Sequence, residues 1–106
     1  MRPVQILQEL APVARARQLR HTFIQGSDGK KYKVLTMRLY DFPVGPEFAT
    51  HETTVEQTGP GGGRRVLVQP LLMRFFSEPE AMAWHQELLE KFDDTLHLKP
   101  ATKPGA

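Results

Sequence analysis

Four histidines, two serines and one glycine-rich basic loop are the residues of this 106-residue chain from which catalytic chemistry could be built. His21, His51, His85 and His97 stand apart, without the HxH or HExxH spacing that sets two ligands on one strand or helix face. His51 and Glu52 are neighbours in an expected strand, so their side chains point to opposite faces. His85 follows Trp84 on the packed side of an expected helix, where a partly buried structural histidine is the ordinary reading. The absence of cysteine excludes disulfides, thiolate zinc sites and cysteine nucleophiles, and it fits a reducing compartment. Ser27 belongs to a turn and Ser77 to a helix cap, and neither has a base near it in sequence. The run Gly59-Pro60-Gly61-Gly62-Gly63-Arg64-Arg65 lacks the GxxxxGK[ST] spacing and leads into a strand, so it reads as a permissive hairpin loop. Paired carboxylates at Glu78/Glu80 and Asp93-Asp94 sit at helix ends, where the first pair complements the dipole and the second mildly opposes it. No enzyme, cofactor or metal site is expected.

Binding chemistry is better represented. In the run 31–40, alternation puts Leu35, Met37 and Leu39 on one face and Tyr32, Val34, Thr36, Arg38 and Tyr40 on the other. Aromatics that stack on bases and cations that track phosphates are what a single-stranded nucleic acid requires. Tyr32, Arg38 and Tyr40 share a face with Arg20 in this reading, and Lys30, Lys31, Arg64 and Arg65 lie near strand ends. The expected nucleic-acid surface is therefore Arg20, Lys30, Lys31, Tyr32, Arg38, Tyr40, Arg64 and Arg65. The rival expectation is a homodimeric or adaptor interface on the same face, formed by Val34, Val66, Val68, Leu72 and Phe76.

Charge is unevenly spread. Residues 1–41 hold eight Lys and Arg against three acids, a balance of +5, and residues 42–106 hold six against nine, a balance of −3. A basic front and an acidic C-terminal helix could steer an anionic partner to one side. The overall charge of only +2 is low for a dedicated nucleic-acid binder.

The elements that must position these residues follow from local pattern. Val4, Leu7, Leu10 and Ala14 have helical spacing interrupted by Pro12, which predicts a short N-terminal helix with a kink. A first strand is expected over residues 19–25, a three-residue loop Ser27-Asp28-Gly29 with Gly29 left-handed, and a second strand over 31–40. That loop length sets Leu19, His21 and Phe23 beside Leu35 and Met37, which are expected to form the core face. The two prolines in residues 41–46 make a loop. Residues 48–58, rich in threonine, predict an edge strand, and residues 64–76 an apolar strand with a bulge or bend at Pro70. Ser77, Pro79 and Glu80 predict a capped helix running to about residue 93, with Ala81, Trp84, His85, Leu88, Leu89 and Phe92 as its apolar stripe.

The order of strands and helix is similar to the four-strand-plus-helix unit of single-strand-binding transcriptional coactivators and of whirly-type proteins, a likeness of topology that implies a nucleic-acid platform. The stretch from Met73 to Trp84 looks like the closing strand and tryptophan-bearing helix of a pleckstrin-homology domain, but it covers about a fifth of the chain and matches no phosphoinositide signature. The expectation is one α+β domain over residues 1–98, a four-stranded antiparallel meander packed on the C-terminal helix, with a disordered tail over 99–106. Apolar and charged fractions of 40% and 25% fit a globular, cytoplasmic protein, and no apolar run is long enough for a membrane span. Its expected partners are a single-stranded nucleic acid or another protein chain, a second copy included.

Overall fold

The computed structural model describes residues 4–11, 17–27, 29–58, 66–67 and 71–92, the pair 66–67 by its backbone. Six strands and one helix follow in chain order: β1 Gln5–Leu10, β2 Gln18–Gln25, β3 Lys31–Arg38, β4 His51–Thr58, β5 Val66–Leu67, β6 Met73–Phe75 and α1 Glu78–Glu90. All strands join one antiparallel sheet in meander order. β5 pairs with Glu56 and Gln57, and β6 with His51 to Thr53, so the two short strands fill one fifth position along β4. The fold is α+β, with a sheet one position wider than expected. The predicted tail at 99–106, the glycine loop with Arg64 and Arg65, Val68 and Pro70 lie outside the described residues.

The hairpin of β2 and β3 has the predicted loop. The Gly26 N–H donates to the Lys30 carbonyl at 2.9 Å, and Gly29 adopts φ 79°, the left-handed conformation that glycine enters without a Cβ clash. His21 then opposes Leu35, and Phe23 opposes Lys33. At the other end of the chain, Ser77 caps α1 by accepting the Glu80 N–H at 3.4 Å, and its hydroxyl donates to the Glu80 carboxylate at 3.1 Å.

Three expectations fail. The N-terminal helix is instead strand β1, at least over Gln5–Leu10. A bulge between Ile6 and Gln8 explains the misleading spacing: Ile6 opposes Ile24 and Glu9 opposes Thr22, so residues three apart share a face. The threonine-rich β4 is not an edge, because it pairs with β3 on one side and with β5 and β6 on the other. Finally, the helix covers the opposite side of the sheet from the one predicted. Ile24, Tyr32, Val34 and Val55 meet Leu88, Leu89 and Phe92 in the core, joined by Leu71.

The reason for that inversion is a sum over strands. The pairings place Glu52 beside Met37 and Glu56 beside Lys33, so the odd-numbered face of β3 carries three charges near its middle. The even-numbered face sets Thr22, Ile24, Tyr32, Val34, Thr36, Thr53 and Val55 side by side, with Glu9, Arg20 and Arg38 at its margins. A helix dehydrates what it covers, and the face it covers has an uncharged centre.

Candidate functional site

The predicted nucleic-acid surface is not assembled. Tyr32 is 3% exposed, and its ring centroid lies 4.9 Å from that of Phe92 beneath α1. Arg20 is tied to Glu9 of β1 at 3.1 Å and to Gln86 of α1 at 2.9 Å. Arg38 is half-buried on the helix side, with a buried Nε that lacks a hydrogen-bond partner among the described residues. Tyr40 follows β3 and leans on Phe42, their centroids 5.7 Å apart. Among the described members of the set, Lys30 and Lys31 at the hairpin are exposed. Of the rival interface, Val34 is in the core, Leu72 is half-buried and Phe76 is 59% exposed, and the side chains of Val66 and Val68 lie outside the described residues.

The face turned away from α1 carries His21, Phe23, Leu35 and Met37, which were expected inside; Leu35 is buried there with Lys33 and Thr54, and the others are half-buried. The cross-strand rows are Phe23, Lys33, Glu56; then His21, Leu35, Thr54; then Met37, Glu52, Arg74. Leu10 opposes His21 from β1, and the His21 and Phe23 rings are 4.9 Å apart. By alternation Leu39, whose N–H donates to the Thr50 carbonyl, continues this face. Its charges are neutralised in place, by Lys33–Glu56 at 3.3 Å and Arg74–Glu52 at 3.0 Å. No described strand or helix forms a second layer on this side, because all strands share one sheet and the one described helix packs on the other face. Such a surface offers phosphate little net attraction, and the apolar area left on it is the exposed part of the half-buried Phe23, Met37 and Leu39.

Between sheet and helix runs a second feature, a row of polar groups that crosses four strands. The Thr22 hydroxyl donates to the Glu9 carboxylate at 2.8 Å. His85, fully buried on α1, places Nε2 2.8 Å from the Thr22 hydroxyl and Nδ1 2.8 Å from the Thr36 hydroxyl. Thr36 and Thr53 are in turn 2.6 Å apart. Burial, with the neighbouring Arg20 and His21 charges adding to it, lowers the His85 pKa to about 3, so the imidazole is neutral. The helical stripe located His85, but its partners come from two strands, β2 and β3, and could not be paired from one-dimensional spacing.

Among the described residues no group of three or more His, Asp or Glu side chains could hold a metal ion, and no helix is long and apolar enough to cross a membrane. The chain matches no family model, no curated protein and no solved structure.

Proposed function

We propose that this chain is a non-enzymatic protein-interaction domain whose sheet face turned away from α1 packs against the same face of a second copy. The observation that carries this reading is the half-buried Phe23, Met37 and Leu39 flanking the buried Leu35 on a face that no described helix covers. A sheet that is apolar on both faces is stable in water when both are covered, and sheet-on-sheet packing at ~10 Å is the usual solution. Charge favours an identical partner. Lys33–Glu56 and Arg74–Glu52 are each balanced within one copy, so a two-fold arrangement brings no unpaired charge to the contact.

Light scattering on the purified chain tests this. A dimer that persists at 0.5–1 M salt is expected, on the order of several Debye lengths of screening, and Met37→Lys or Leu39→Lys should convert it to a folded monomer. A wild-type monomer at all concentrations overturns the reading. The exposed Lys30 and Lys31 favour a second reading, nucleic-acid binding at the hairpin tip. Salt-sensitive retention of a labelled single-stranded oligonucleotide, lost on Lys30→Ala with Lys31→Ala, would support it in place of the first.

A further inference from the structure

We propose that the row Glu9, Thr22, His85, Thr36 and Thr53 is an acid-sensitive latch that holds α1 and the edge strand β1 to the sheet. Its proton order follows from donor counting. The Glu9 carboxylate, also paired with Arg20 at 3.1 Å, only accepts, so the single Thr22 hydroxyl proton is committed to it. The Thr22 oxygen must then accept from His85, which makes Nε2 the protonated nitrogen. Nδ1 is left bare and accepts from the Thr36 hydroxyl, whose oxygen in turn accepts from Thr53. Every proton points one way, from β4 toward β1, and one neutral imidazole carries the sense across the gap between β3 and β2.

A proton added at Nδ1 converts the acceptor into a donor. The Thr36 hydroxyl must then turn its own proton away from His85, and a cation is left beneath the helix. The groups around it oppose that charge except at one end: Arg20 and His21 from β2 repel it, Glu9 from β1 attracts it through Thr22, and β3 and β4 contribute Thr36 and Thr53, with Arg38 and His51 next along the same face. Unfolded chain binds this proton at about pH 6.5, whereas the folded chain refuses it until about pH 3. Stability from His85 is therefore fully present above pH 6.5 and is lost as pH falls toward 3. The unfolding constant rises tenfold per pH unit across that window. Because His85 is on α1 and Glu9 on β1, those two elements are the ones released first.

Nitrogen NMR of histidine-labelled wild-type protein tests the assignment without a variant. The expected result at pH 7 is His85 with protonated Nε2 and bare Nδ1, unchanged down to pH 5. The single tryptophan, Trp84, reports the helix. In fixed urea its emission should shift to the red between pH 6.5 and 4, and His85→Leu should lose the tenfold-per-unit dependence that the wild type shows. A protonated Nδ1, a His85 titration near 6.5, or parallel pH profiles for wild type and a folded His85→Leu would each overturn the latch.

Discussion

Thr36 is the joint of the buried row, because it accepts from Thr53 and donates to His85 while fully shielded from water. Thr36→Val keeps the shape and removes both bonds. The Thr53 hydroxyl loses its acceptor and His85 Nδ1 its donor, at about 1–3 kcal/mol for each buried group left unsatisfied. The urea midpoint should fall by the corresponding amount at unchanged slope. An unchanged midpoint would mean that the hydroxyls are solvated by some other route. At this scale the sequence was partly legible. His85 on the packed side of the helix follows from its spacing to Ala81, Leu88 and Phe92. Tyr32 shows the limit: a tyrosine flanked by Lys31 and Lys33 reads as a docking residue, and its burial against Phe92 becomes visible only when both elements are placed.

Elements were legible where their cause is local. The β2–β3 loop follows from Gly29, and the start of α1 from Ser77, Pro79 and Glu80, each within a few residues of the structure it makes. Ser77→Ala should cost about 1 kcal/mol of stability, the usual value of an N-cap oxygen, read as a lowered thermal midpoint with an unchanged fold by circular dichroism. β1 was illegible because its bulge replaces period two with a spacing of three, which imitates a helix. The centrality of β4 was missed because its threonines read as polar on both faces, although the strand expected over 64–76 supplies its partners β5 and β6.

At the scale of the molecule, the hairpin register was read correctly from Arg20 to the loop, although a shift before Arg20 sets Gln18 rather than Leu19 opposite Met37, and the covered side was not read correctly. Register depends on one loop. The covered side depends on where Glu52, Glu56, Lys33 and Arg74 fall together, a property of four strands at once. The candidate interface inherits that history: Phe23, Leu35, Met37 and Leu39 were identified as an apolar set from alternation alone, and of these Leu35 is buried as expected while the other three are half-buried on the face away from α1.

The two borders of the sheet bear on what kind of assembly it can enter. One border is β1, kinked at Leu7 and carrying Glu9 turned toward its own domain; the other is formed, among the described residues, by the short β5 and β6. Among the described residues neither presents a long straight run of free amides and carbonyls on which another chain could zip itself sideways. Association is thereby steered away from open-ended filaments and toward a closed pair of fixed stoichiometry. Deleting Leu7 removes the kink and should turn that border into a template. Such a variant is expected to form polymers that bind thioflavin, whereas a purely dimeric product would show that the bulge is not what keeps the assembly finite.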